Sequence, residues 1–520
     1  MAHAARASGR RGRPRRGLLD RTSLGALAVS GASALRLIFQ LALLPILARL
    51  IGPAEYGLVA LAMPFILLAN VVADGGLVMA LGRRHEASPA VESTAFWIAA
   101  GVGASLALIS CAAAAPIGWA MREPRLPVLI MALSPILLMN SLTVVSNGRI
   151  IRERRFALFA GGDLISTLAG AGTALVAAAH GWGAWSLVAQ QLVLWVCKLT
   201  WVTSWAGARV KLVFRFDEVR DVLTFGANNL GAMLADYVSR NVDNMIIGAV
   251  LGATTLGYYA MAYQVIRVPD MLISGPFYFY IFTALSRSAH AGDREAIREL
   301  ARAGLRLGSV TLAPLFCGLA LTADLAVPLL LGPKWLAAIG ALRWLSGAGF
   351  GFCICSIMAA MLTGLGRASL QLHLSIALGV TTILMVGGGV RFGLTPTAGA
   401  LACGVALMSG YCLDRLAADL KTPRMRLLTA FAPAALGCAA LTVAMLVVRL
   451  LLQRQSPELE FGCAILAGAA AYAAVVWSLA RRQLVADAGA FSRAQADDPP
   501  PDNAAAAAAA SSKPALTPAA

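Results

Sequence analysis

Charge is what this chain has least of. Only 13% of its 520 residues are Asp, Glu, Lys or Arg, roughly half the share of a soluble domain, and 59% are hydrophobic. A mean hydropathy of +0.73 completes a membrane composition. Lysine is scarcer still. None of Lys198, Lys211, Lys334, Lys421 and Lys513 follows a glycine, so the Gly-Lys end of a phosphate-cradling loop is missing. The nine cysteines are scattered through apolar runs, Cys353 and Cys355 being nearest neighbours. No CxxC and no metal-ligand spacing with the five His occurs, so buried thiols without disulfides or bound metal are expected. Long outer loops and an acidic pair at the membrane face are also missing, which argues against a glycosyltransferase or ligase. No enzyme and no cofactor is expected.

What is present is a series of apolar runs, each able to cross a hydrocarbon core of about 30 Å as a helix. Spans are predicted near 23–48, 56–81, 93–119, 127–147, 158–179, 183–205, 222–250, 256–284, 303–323, 338–363, 369–390, 396–414, 427–450 and 461–479. The fold class is therefore an all-α polytopic membrane protein with about 14 transmembrane helices. Basic residues test the count. Loops after even-numbered spans hold Arg83 and Arg84, a cluster from Arg149 to Arg155, Arg209 to Arg220, Arg287 to Arg306, Arg367, Arg415 to Arg426, and Arg481 with Arg482. Loops after odd-numbered spans hold only Arg49, Arg122, Arg125, Lys334, Arg391, Arg449 and Arg454. The alternation stays in phase to the end, so both termini are expected in the cytoplasm. The net charge of +17 thus belongs to loops beside a lipid bilayer and implies no nucleic acid.

The N-terminus carries seven Arg before Ser23. The apolar run behind it is too long for a signal peptide, so residues 1–22 read as a basic cytoplasmic tail. "VKLVFRFDEVRDVLTFG" (Val210 to Gly226) and "GDREAIRELARAGLRLG" (Gly292 to Gly308) alternate apolar and charged residues and suit interfacial helices. The Ala/Pro-rich end, 483–520, reads as disordered.

"RLIGPAEYGLVALA" (Arg49 to Ala62) matches "AVLGATTLGYYAMA" (Ala249 to Ala262) at an offset of 200, through Gly52, Gly57, Ala60 and Ala62 against Gly252, Gly257, Ala260 and Ala262. Six spans separate the copies, and an even number preserves direction. Parallel repeats of this kind occur in transporters. The domains are then a six-helix lobe at 23–209, an amphipathic linker at 210–225, a second six-helix lobe at 226–420, and two C-terminal helices at 421–482.

Charges inside spans are the candidate site, because each costs roughly 2.5–3.5 kcal/mol at a helix centre. Arg36, Lys198, Arg240, Arg343 and Arg267 are candidate anion-binding groups in a cationic cavity. Asp74, Asp236, Asp243 and Asp270 are candidates for ion coupling or for cavity ion pairs. Arg267 with Asp270, and Asp74 with Arg36, are two such pairings. Asn229 and Asn244 are polar cavity candidates. In "ADYVSRNVDNMIIG" (Ala235 to Gly248) the charges of Asp236, Arg240 and Asp243 share one helix face, which reads as cavity wall or as self-paired.

The segments "ILARLIGPAEYGLVALAMPFILLANVVADGGLVMALGRR", "VDNMIIGAVLGATTLGYYAMAYQVIRVPDMLISGPFYFYIFTALSR" and "LLLGPKWLAAIGALRWLS" resemble Wzx-type lipid-linked oligosaccharide flippases. These belong to the multidrug/oligosaccharidyl-lipid/polysaccharide exporter superfamily. The resemblance implies a V-shaped pair of six-helix lobes that move an undecaprenyl-pyrophosphate-linked oligosaccharide across the inner membrane by alternating access. Coupling to H+ or Na+, and partnership with a polysaccharide polymerase and export proteins, are implied with it. An ion-coupled multidrug exporter and a lipid II flippase are the alternatives.

Overall fold

The computed structural model describes residues 16–83, 88–206 and 211–496; the side chains of 16–30, 32, 34, 83, 206, 216–229, 231–232, 235–236, 238–240 and 494–496 lie outside that description. Among the described residues the chain is helical without a strand, and it divides into two compact units, Met1–Gly257 and Tyr258–Ala520.

The first unit contains α1 (Arg16–Leu50), α2 (Pro53–Asp74), α3 (Leu77–Arg83), α4 (Pro89–Ala120), α5 (Leu126–Leu133), α6 (Pro135–Arg152), α7 (Phe156–Ala179), α8 (Ala184–Ala206) and most of α9 (Phe216–Pro269). Proline opens α2, α4 and α6, where its missing N–H is one the helix would leave unpaired anyway. Ser88 caps α4 by accepting from the Val91 N–H at 3.2 Å. Two glycine devices interrupt the expected spans. Gly75 and Gly76 sit at φ of 54° and 69°, a left-handed turn that divides the run 56–81 into α2 and α3. Gly252, at φ 81° and ψ 171°, breaks α9 where the sequence places the turn between the spans 222–250 and 256–284.

The second unit continues from α9 through a π-helical turn, Asp270–Ser274, into α10 (Gly275–Ala291). It goes on with α11 (Arg294–Ala326), α12 (Ala338–Gly364), α13 (Ala368–Gly389), α14 (Leu394–Asp419), α15 (Arg424–Leu428), α16 (Ala432–Leu452) and α17 (Pro457–Ala496). The turn predicted at "LGPKW" is built from a π segment at Val327–Leu331, Gly332 at φ 98°, and a 3-10 turn at Pro333–Trp335. Trp335 is fully buried beneath it.

Eleven described segments are long and apolar enough to cross a membrane. They overlie the expected spans except 23–48, 183–205 and the first part of 222–250, where α1, α8 and the start of α9 lie. Gln190, Gln191 and Lys198 dilute the apolar character of α8. The chain is an all-α polytopic membrane protein.

Polar contacts within each unit join residues that the loop charges assign to one side. On the less basic side, Arg125 makes a bidentate pair with Glu55 at 2.7 and 2.9 Å, and Glu55 also accepts from the Ala184 N–H at 3.0 Å. On the basic side, buried Glu92 pairs with Arg152, and Arg367 pairs with Asp419 at 2.9 Å. Arg155 donates to the Trp205 carbonyl at 3.0 Å.

Three surface expectations differ from the structure. Residues 211–215 are not helical but lie along the start of α4. The Lys211 N–H donates to Ser93 Oγ at 3.0 Å, the Arg215 N–H to Thr94 Oγ1 at 2.9 Å, and Trp97 Nε1 to the Lys211 carbonyl at 3.2 Å. These side-chain partners satisfy backbone groups that a helix would have used. The segment 292–308 is no separate interfacial helix; capped by Asp293, it runs unbroken into α11. Finally, α17 continues well past Arg482. Asp487 accepts from Arg306 at 2.9 Å with both residues buried, and fully buried Phe491 packs on Tyr280 with ring centroids 5.1 Å apart. Composition read the whole end as tail because the Ala/Pro-rich stretch beyond 496 dominates it. Phe491→Ala should therefore lower stability by about 3 kcal/mol, visible as a lower melting temperature of the purified full chain.

Candidate functional site

Two charge clusters assemble from separate helices. In the first unit α1 and α8 both pack on α7. This brings Arg36 Nη1 to 3.3 Å and Lys198 Nζ to 2.8 Å from the two carboxylate oxygens of Asp163. One aspartate faces two cations, so the cluster keeps a net positive charge. Lys198 also lies 5.4 Å from the ring centroids of both Phe159 and Trp195, a position in which the aromatic faces stabilise its charge. Arg36 is 38% exposed and Asp163 21%. Charges at these positions of spans would be costly against lipid, and pairing with Asp163 offsets part of that cost.

In the second unit Asp324, at the end of α11, accepts from Arg449 of α16 and lies 3.3 Å from Arg343 of α12. Arg449 in turn reaches Glu460 of α17 at 3.1 Å. Two cations and two carboxylates make this cluster neutral. It sits where the less basic side of the spans begins and ends, a network that ties α11, α12, α16 and α17 together. Its makeup sets Arg343 apart from Arg36 and Lys198.

Other candidates are placed singly. Arg267 is exposed and forms no ion pair among the described residues; Asp270, three positions on, instead accepts from the thiol of Cys353 at 3.5 Å. Arg36, engaged by Asp163, is not the partner of Asp74. Asp74 ends α2, with the backbone N–H of Gly76 on its carboxylate side. Asp243 is 3% exposed and receives the Asn244 N–H at 2.9 Å, so it is enclosed in protein rather than open to a cavity. The Asn244 side-chain oxygen is buried without a hydrogen-bond donor among the described residues. The side chains of Asn229, Asp236 and Arg240 fall outside the described residues. Ala249 and Val250, on the apolar side of this part of α9, are exposed. The sequence places Asp163 near the start of the span 158–179 and Asp324 near the end of 303–323. Their role as hubs, and Arg449 and Glu460 as members, went unread, because ion pairs between helices leave no spacing to read.

The internal repeat has a direct structural counterpart inside the first unit. A Cβ placed on Gly57 would lie 1.8 Å from the Ala253 carbonyl oxygen and 2.9 Å from the Gly257 nitrogen. One placed on Gly257 would lie 2.1 Å from the Pro53 carbonyl oxygen and 3.1 Å from the Gly57 nitrogen. Residues 53 and 57 thus touch 253 and 257 reciprocally, and those are their equivalents at the offset of 200. Small residues permit this backbone-to-backbone approach.

Comparison with known proteins agrees with the fold. Residues 46–340 match the family model described as "Polysaccharide biosynthesis protein". The chain is 26% identical over 350 residues to the succinoglycan biosynthesis transport protein ExoT of Rhizobium meliloti (strain 1021), covering 67% of this chain and 69% of that one. It is 25% identical over 368 residues to the lipopolysaccharide biosynthesis protein WzxC of Escherichia coli (strain K12), covering 69% and 73%. In fold it resembles the lipid II flippase MurJ in an inward closed conformation, with a TM-score of 0.71 and 14% identity over 88% of this chain and 99% of that one. An inward-facing multidrug resistance transporter of the MATE family gives a TM-score of 0.60 at 18% identity, over 74% and 95%. At such identities these two structures show shared architecture alone.

Proposed function

The chain belongs to the polysaccharide biosynthesis protein family, and from that premise we propose that it carries a lipid-linked oligosaccharide across the bacterial inner membrane. The cargo is an undecaprenyl-pyrophosphate-linked oligosaccharide, taken from the cytoplasmic to the periplasmic leaflet by alternating access. It feeds the synthesis of exopolysaccharide, capsule or O-antigen, where a polymerase and export proteins would act next. Both termini lie in the cytoplasm, an H+ or Na+ gradient supplies the drive, and the chain itself performs no covalent chemistry.

The observation that carries this reading is the cationic excess held within spans. Arg36 and Lys198 share one aspartate, and Arg267 is exposed with no ionic partner among the described residues. A pyrophosphate entering a region of low dielectric needs such groups, whereas a cationic drug would be repelled by them. That favours the oligosaccharide carrier over the multidrug exporter.

The test is complementation of a strain lacking the gene, with surface polymer and membrane-bound precursor both measured. Arg267→Gln should insert at normal levels yet leave polymer reduced at least about tenfold, as loss of a charge-assisted contact worth 1.5–3 kcal/mol predicts. Undelivered lipid-linked precursor should accumulate. Normal polymer from the combined Gln variant of Arg36, Lys198, Arg240 and Arg343 would sink the cationic pathway. Drug resistance with unchanged polysaccharide would favour the exporter, and rescue of peptidoglycan synthesis would favour a lipid II flippase.

A further inference from the structure

We propose that the break between α2 and α3 is a sodium site, with Asp74 and Asn70 as its side-chain ligands. Three observations converge there. Asp74 is the last residue of α2, and Asn70 lies four residues earlier, on the same helix face. Among the described residues Asp74 has no cationic partner, and the backbone N–H of Gly76 lies on its carboxylate side. The Asn70 side-chain oxygen is buried with no donor among the described residues. An unpaired carboxylate beside an unsatisfied buried amide oxygen is an arrangement that a protein interior disfavours unless something positive completes it.

The backbone adds to the same charge. The last carbonyls of a helix lack intrahelical donors and carry its negative dipole end. At the end of α2, among the described residues, the Val71 carbonyl is capped by the Gly75 N–H at 3.1 Å and the following carbonyls are not. Gly75 and Gly76 then turn the chain away through two positive φ values, leaving the end of α2 open. Interrupted membrane helices supply cation ligands in just this way, from unwound carbonyls beside a carboxylate. One carboxylate with neutral oxygens suits a hard monovalent ion rather than a divalent one.

The internal repeat supplies a comparison within the molecule. At the offset of 200, Asn70, Asp74 and Gly75 correspond to Asp270, Ser274 and Gly275. The second copy also departs from α-helix at this point, through the π turn Asp270–Ser274. There the carboxylate receives the Cys353 thiol at 3.5 Å, and Ser274 is buried. In the second copy the carboxylate thus has a side-chain donor, while the Ser274 oxygen is buried without a partner among the described residues. In the first copy neither the Asp74 carboxylate nor the Asn70 oxygen has a side-chain donor among the described residues.

The site stands on its own geometry, and only its use as the coupling site rests on the proposed transport. The full chain in lipid nanodiscs, without glycan, is melted across a titration of NaCl against KCl at constant ionic strength. Wild type should show a saturable rise in melting temperature with Na+ that K+ reproduces only weakly. Asp74→Asn and Asn70→Leu should each shift the Na+ midpoint at least about tenfold upward, the scale seen when metal-site groups are removed. Asn70→Leu keeps the side-chain size and all charges, so it decides the matter if Asp74→Asn does not fold. Absence of a Na+-specific rise in wild type would overturn the proposal, as would unchanged midpoints in the variants. A rise that follows pH and ignores Na+ would also overturn it, making Asp74 a protonation site instead. Failure of the oligosaccharide reading would leave these melting curves unaffected, so the two can fall separately.

Discussion

Gly57→Val should leave no stably folded protein in the membrane, and Gly57→Ala alone should cost more than about 3 kcal/mol, beyond the usual range for overpacking. The reason is what the new atom would meet. It would sit 1.8 Å from a carbonyl oxygen and 2.7 Å from its carbon, both in the backbone of Ala253. A side chain could swing aside; this peptide is held by the helix on one side and by the turn at Gly252 on the other. Gly252 is itself at φ 81°, so it has no easy second conformation to lend. Gly257→Ala should be nearly as damaging, because its Cβ would meet the Pro53 backbone at 2.1 Å, and combining the two should not rescue either. Gly101→Ala and Gly172→Ala give the internal control. Both positions are helical with nothing within 4 Å of an added Cβ, so they should be neutral or gain up to about 1 kcal/mol. Thermal unfolding of the purified full chain decides the matter. A Gly57→Val protein that melts with wild type would mean that α2 and α9 do not cross at these glycines.

How much of this was written in the sequence depends on the kind of information. The helices were legible because a membrane span needs only length and apolar composition. The repeat was legible because Gly57 and Gly257 are constrained by the same contact seen from its two sides. The break at Gly75–Gly76 was not read, since Leu77 to Leu81 continue the apolar run and hydropathy is blind to φ. For the charged residues the positions were readable and the partners were not. Arg36, Lys198 and Arg343 have no acidic residue within a helical turn, yet each finds one across a helix interface: Asp163 for the first two, Asp324 for the third. Those distances are set by packing of apolar faces, which carries no mark at the charged positions. The C-terminal end shows the reverse error, in which the composition of a long tail concealed one aromatic residue, Phe491, with a pocket to fill.

The shared aspartate allows folding and transport to be separated in one experiment. Asp163→Asn should destabilise the first unit by about 1–3 kcal/mol, discounted from the value for a fully buried pair because Arg36 and Asp163 are partly exposed. Two cations would then face a neutral side chain on α7 with no negative charge between them. Removing one of them should relieve this, so Arg36→Gln combined with Asp163→Asn should recover most of the lost melting temperature, a coupling that a double-mutant cycle measures directly. Transport should not recover with it. If Arg36 exists to meet an anionic substrate, a protein that folds normally with Lys198 as its only cation at this position still lacks half of the receiving charge. Polymer output should therefore track Arg36 while stability tracks the balance of charge around residue 163. The opposite outcome, in which the double variant regains both stability and polymer, would reduce Arg36 to a partner for Asp163. It would leave Lys198 and Arg267 to carry the anion.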